Sequence, residues 1–155
     1  MKRVWIIIGR ISYIMAWPAL YFYLKDSQRT RVIVRAEDKV LLLKDWLGDG
    51  KWKLPGGGVH QGENIAESAS RELFEETGVE IRSSDLKPLG SIKAKGHGTT
   101  VVLHIFESTI PAPVTVKKQK LEIVEAVWQV VEGLADRRDI SDITRAVLSK
   151  AADLL

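Results

Sequence analysis

Cysteine is absent from all 155 residues. That removes disulfides, thiolate zinc sites and cysteine nucleophiles together, and leaves carboxylate, carbonyl or imidazole groups to hold any metal. Hard cations are therefore favoured. Aromatic residues make up only 7% and do not interleave with a long basic run, so a formal charge of +3 does not point to a specific nucleic-acid partner. Internal repeats and low-complexity tracts are missing too, and the one proline pair, Pro111 with Pro113, reads as a bend. What is present, 45% hydrophobic and 28% charged residues, excludes wholesale disorder and a polytopic membrane protein. A chain of this length suits one domain that buries roughly 70% of its unfolded surface.

The longest apolar stretch runs from Val4 to Leu24 and is interrupted mainly by Arg10 and Pro18. As a helix it would reach about 31 Å, close to the bilayer core thickness, and its tryptophans and tyrosines favour a membrane interface. Arg10 is costly in lipid and Pro18 removes a helix hydrogen bond, so two shorter helices packed on the domain or on a second copy in a homodimer are the other reading. A cleaved signal peptide fits poorly because Arg10 splits the run. The chain thus divides into an N-terminal apolar helical segment, 1–29, and a domain, 30–155. Were the segment to span, Lys25, Arg29 and Arg31 would favour a cytoplasmic domain, whereas Lys2 and Arg3 oppose it.

From Thr30 the sequence RVIVRAEDKVLLLKD reads as two strands separated by Glu37–Asp38. Residues Trp46 to Lys53 are turn-rich and lead through Leu54–Pro55 into Gly56–Gly57–Gly58. Asn64 with Glu67 three residues on forms a capping-box start and Gly78 a stop, which predicts a helix over Ile65–Thr77. Strands are predicted over Leu86–Ala94, Thr99–Glu107 and Val124–Val131, the first two joined by the KGHG turn. An amphipathic helix is predicted over Ser141–Leu155. The expected class is a mixed α/β (α+β) sandwich.

On the first helix Glu72, Glu75 and Glu76 stand at i, i+3 and i+4, and Glu76 falls inside the edge of the apolar arc. Like charges so placed cost about 0.2–0.5 kcal/mol per exposed pair, and more when partly buried, so a compensating cation explains them economically. Magnesium suits an all-oxygen set. Arg71 lies four residues from both Glu67 and Glu75 and can orient a carboxylate. An acidic helix face is commonly just solvated, and a glycine loop commonly just a turn. Their combination is more specific.

Gly57, Glu63, Arg71-Glu72-Leu73, Glu75-Glu76 and Gly78-Val79 fall at the spacing G-x5-E-x7-R-E-U-x-E-E-x-G-U, with U aliphatic, and this segment resembles the Nudix box at every fixed position. The box covers 23 of 155 residues. Trp52-Lys53-Leu54-Pro55-Gly56-Gly57 before it, and Glu122-Ile123 with Glu125 and Trp128 after it, also look like the family. The resemblance implies an α/β/α sandwich with a mixed sheet. It implies a Mg2+- or Mn2+-dependent pyrophosphohydrolase that cleaves a nucleoside diphosphate linked to a moiety X by water attack at phosphorus. Glu72, Glu75 and Glu76 would bind metal, a carbonyl of Gly56 or Gly57 would add a ligand, and Glu63 would orient Arg71. The base would be Glu72, or a later glutamate such as Glu122 or Glu125. Trp52 is a candidate for stacking on a base or for packing beneath the glycine loop, and His97 a candidate ligand contact. Neither an SQPWPFP-like run nor a tyrosine after the box is evident, so X stays open. A catalytically silent nucleotide sensor on the same fold is the alternative.

Overall fold

The computed structural model describes residues 28–46, 49–96, 99–117 and 123–152. Valine-, isoleucine- and leucine-rich runs form β1 (Gln28–Ala36) and β2 (Lys39–Asp45), joined by the two-residue turn Glu37–Asp38 with Glu37 at φ 54°. Helix α1 (Ile65–Thr77) has the predicted limits. The Asn64 side chain accepts the Ala66 N–H at 2.9 Å, and Gly78, at φ 70°, closes the helix with its N–H on the Phe74 carbonyl at 2.7 Å.

Strands β3 (Lys87–Gly96), β4 (Thr99–Ile110) and β5 (Ile123–Val130) follow, and α2 (Asp142–Ala152) ends the described chain. Each element falls within a few residues of its expected place. The sheet has five strands in the order β3-β4-β1-β2-β5, with β1 and β4 parallel and the other neighbours antiparallel.

Alternation along β1 and β2 builds a core on each face. Val32, Val34 and Leu41 pack with Ala69 and Leu73 of α1, while Ile33, Val40 and Leu42 pack with Trp52 and with Val147, Leu148 and Ala151 of α2. These side chains are almost fully buried, each contributing roughly 1.5–3 kcal/mol where Val, Leu or Ile is concerned. The expected α/β/α sandwich is therefore the architecture.

One departure from a plain hairpin creates the site. The β1–β2 pairing is confined to Arg35↔Val40 and Ala36↔Lys39, beyond which the strands part. The segment 52–59 fills the gap. Lys53 exchanges both backbone bonds with Leu43, at 2.8 and 2.9 Å, and further on Pro55, Gly57 and Val59 bond to Val32, Thr30 and Gln28 of β1. The glycine loop is thus held as a strip of sheet rather than as a free turn.

The N-terminal segment Val4–Leu24, Glu122 and His97 lie outside the described residues. Among the described residues no helix is long and apolar enough to cross a membrane.

Candidate active site

The strip meets α1 at its glycines. Gly56 sits at φ 130°, and a Cβ there would collide with the Thr30 carbonyl. A Cβ on Gly57 would lie 2.5 Å from the Glu72 carboxyl carbon. The absence of side chains on the strip is what lets the Glu72 carboxylate press against its backbone. Glu72 is only 5% exposed, the deepest of the helix glutamates. The helical wheel put Glu76 inside the apolar arc; the bare backbone of Gly57 instead gives Glu72 the more enclosed place.

A buried carboxylate is costly without partners, and Arg71 supplies one. Its Nη1 donates to Glu72 Oε1 at 2.9 Å, and Nε and Nη2 form a bidentate pair with Glu63 at 2.7 and 3.0 Å. Nη2 also donates to the Gly58 carbonyl at 3.1 Å, as does Ser68 Oγ. Arg71 hydrogen bonding, assisted by the His60 N–H, holds the Glu63 carboxyl down at about 2 against the opposing effect of burial. The same bond to Glu63 and the neighbouring Glu72 raise the Arg71 guanidinium above its ordinary value. Glu76 Oε2 accepts the Gly56 N–H at 2.8 Å. The strip is thus lashed to α1 at Gly56 and Gly58 by charged groups.

These groups border a cavity of about 180 Å3, lined by Arg29, Arg31, Leu43, Asp45, Lys53, Leu54, Gly56, Gly57, Gly58, Glu72 and Glu76. Its volume is below the roughly 300–1,000 Å3 of a site that encloses a drug-sized ligand, so it suits the charged part of a molecule better than the whole. Arg31 Nη1 donates to the Thr30 and Gly56 carbonyls at 2.8 and 2.6 Å. Lys53 pairs with Asp45.

Glu72, Glu76, Gly56 and Gly57 therefore come together in one cavity, with Glu63 and Arg71 behind them. Glu75 does not line it: its carboxylate lies 3.4 Å from Arg71 Nη1. Among the described residues no group of three His, Asp or Glu side chains converges on one point. Three carboxylates line the cavity, Asp45 already paired with Lys53; Glu72 and Glu76, with backbone carbonyls close by and neither sulfur nor imidazole in the lining, still match the donor chemistry of a hard divalent ion.

Trp52 is 6% exposed in the core beside α2, with the Lys44 ammonium 4.3 Å from its ring centroid, and it does not line the cavity. Packing beneath the loop is the reading its burial fits. Glu125 is exposed and directly opposite Lys44, on the Trp52 side of the sheet. Leu43 and Asp45, one residue to either side of Lys44, line the cavity instead.

Sequence reasoning missed Arg29, Arg31, Asp45 and Lys53 as parts of the site. The available signal was a pair of arginines at i and i+2 leading into an apolar strand, which must share one face.

The NUDIX domain model matches residues 26–148 of this chain. Nudix hydrolase 6 of Arabidopsis thaliana is 38% identical over 86 residues, covering 55% of this chain and 30% of that protein. The oxidized purine nucleoside triphosphate hydrolase of Danio rerio is 40% identical over 83 residues, covering 51% of this chain and 52% of that one. The chain thus spans between about a third and a half of the length of these curated relatives. Among solved structures, the MutT protein from Methanosarcina mazei Go1 superposes with a TM-score of 0.72 at 23% identity, over 84% of this chain and 95% of that one. The NUDIX domain of Shewanella oneidensis NrtR, complexed with ADP ribose, does so with a TM-score of 0.72 at 15% identity, over 83% and 88%. At these identities the two structures show a shared fold.

Proposed function

This chain belongs to the Nudix family, and on that premise we propose that it is a metal-dependent pyrophosphohydrolase that cleaves the diphosphate bond of a nucleoside diphosphate linked to X. The observation that carries the reading is the carboxylate of the buried Glu72, set against the bare backbone of Gly57 beside Glu76 in a charged cavity. A carboxylate placed so at the expense of burial suits a chemical task better than a packing one.

Glu72 and Glu76, with Glu75 alongside and the Gly56 and Gly57 carbonyls close by, would hold Mg2+ or Mn2+. When bound there, the ion supplies neutralisation of diphosphate charge and a lowered pKa for water. The rest is work for the chain. Arg71, anchored by Glu63, fixes the rotamer of Glu72. Glu72 accepts the proton of the attacking water as its oxygen bonds to phosphorus and the bridging P–O bond breaks, the electron pair leaving on the departing phosphoryl oxygen. Glu72 is favoured as base over Glu125 because Glu72 lines the cavity, whereas Glu125 lies exposed opposite Lys44 and does not.

Incubation with Mg2+ and a panel spanning nucleoside triphosphates, ADP-ribose and nucleotide sugars tests this. Release of nucleoside monophosphate from at least one compound, abolished by Glu76→Gln, is expected. No turnover across the panel contradicts the reading, and ligand binding without turnover points to the sensor alternative.

A further inference from the structure

Of the three cations that line the cavity, Lys53 is paired with Asp45, and the proposed chemistry uses neither of the other two. Arg29 and Arg31 sit two residues apart on β1, share a face and both line the cavity. The Nε atoms of both are buried without a hydrogen-bond partner. An arginine cannot shed its proton in practice, so two guanidinium groups that line one cavity repel each other and favour an anion beside them. Acidic neighbours are already engaged: Asp45 by Lys53, Glu76 by the Gly56 N–H and Glu72 by Arg71. Burial, with the charge of Arg29 next, lowers the Arg31 guanidinium from its ordinary value despite the opposing pull of Glu76, Asp45 and Glu72.

Two adjacent guanidinium groups match a dianion better than a monoanion. A terminal phosphoryl group carries about −1.5 to −2 charges at neutral pH with three acceptor oxygens, and planar guanidinium forks fit it. A phosphoryl group esterified on both sides carries one. We propose that Arg29 and Arg31 form a specificity-determining subsite for a terminal phosphoryl group, so that the preferred substrates are nucleotides ending in phosphate, such as nucleoside triphosphates, over those whose X is a sugar. This rests on the activity proposed above. Arg31 is also tied to the strip through the Gly56 carbonyl, so Arg29 is the residue to vary.

Two small non-substrates separate the subsite from catalysis. 31P NMR titration of the full chain at fixed, saturating Mg2+ with methyl phosphate, a dianion, and dimethyl phosphate, a monoanion, reads binding alone. The dianion is expected to bind more tightly, with Arg29→Gln weakening it roughly tenfold to hundredfold and Arg29→Lys weakening it less. In turnover, Arg29→Gln is expected to erode the preference for a nucleoside triphosphate over ADP-ribose through KM rather than kcat. Equal binding of the two esters, or a dianion affinity unchanged in both Arg29 variants, overturns the subsite. Loss of all turnover with dianion binding intact instead counts against the activity and leaves the subsite standing.

Discussion

The two helices grip the same strip of backbone with different chemistry. Helix α2 holds its first half: Leu54 N–H donates to the Thr144 hydroxyl at 3.2 Å, and the backbone of Trp52 bonds to Asp139 and Ser141 just before the helix. Apart from Thr144, what α2 buries is apolar, namely Val147, Leu148 and Ala151. Helix α1 holds the second half with Glu76 on Gly56 and with Arg71 and Ser68 on Gly58, and it buries Glu72. A neutral hydroxyl suffices to satisfy a backbone N–H, so the carboxylates of α1 exceed what holding a loop demands. The contrast assigns stability to the α2 side and chemistry to the α1 side.

Substitutions that remove charge but keep shape should divide along that line. The largest effect is expected for Glu72→Gln, on the order of 10^3-fold in kcat with little change in thermal stability, checked by steady-state kinetics beside a melting curve. Gly57→Ala follows. Its Cβ must displace the Glu72 carboxylate, and kcat/KM is expected to fall on the order of 10^2-fold. On the other helix Leu148→Ala should cost roughly 2–5 kcal/mol in denaturant unfolding while the folded fraction keeps its turnover. Were Leu148→Ala to abolish turnover in fully folded protein, the division would fail.

The remaining effects are smaller. Thr144→Val leaves the buried Leu54 N–H without its acceptor and should lower stability by about 1–3 kcal/mol. Glu63 has a folded pKa of about 2 against an ordinary 4.5. Because the folded value is the lower one, its contribution is fully present above the ordinary value and is lost as pH falls through that window. Glu63→Gln is therefore expected to flatten the stability profile between about pH 4.5 and about pH 2, read by urea unfolding at each pH.

Much of the α1 side is legible in the sequence. Asn64 and Gly78 bound the helix because a cap and a left-handed stop are local requirements, and the run of glutamates announced a charge problem whatever fold surrounded it. The apolar alternation of β1 and β2 was equally local. That Arg29 and Arg31 share a face was legible, but that they face the cavity was not, because it depends on β1 and β2 parting so that residues 52–59 enter between them. Arg31 then meets a carbonyl 25 residues away, a contact no periodicity encodes. Trp52 shows the same limit: an aromatic beside a glycine loop reads as a stacking platform or as core, and only the placement of α2, some 90 residues later, decides. The relative depth of Glu72 and Glu76 likewise turned on Gly57, a residue outside the helix.

Titration with Mn2+, followed by loss of the free-ion electron paramagnetic resonance signal, tests the assignment of chemistry to the α1 side most directly. Saturable uptake by the wild-type chain and by Leu148→Ala, weakened at least roughly tenfold by Glu72→Gln, is the result expected. Uptake unchanged in Glu72→Gln, or none by the wild-type chain, would contradict it.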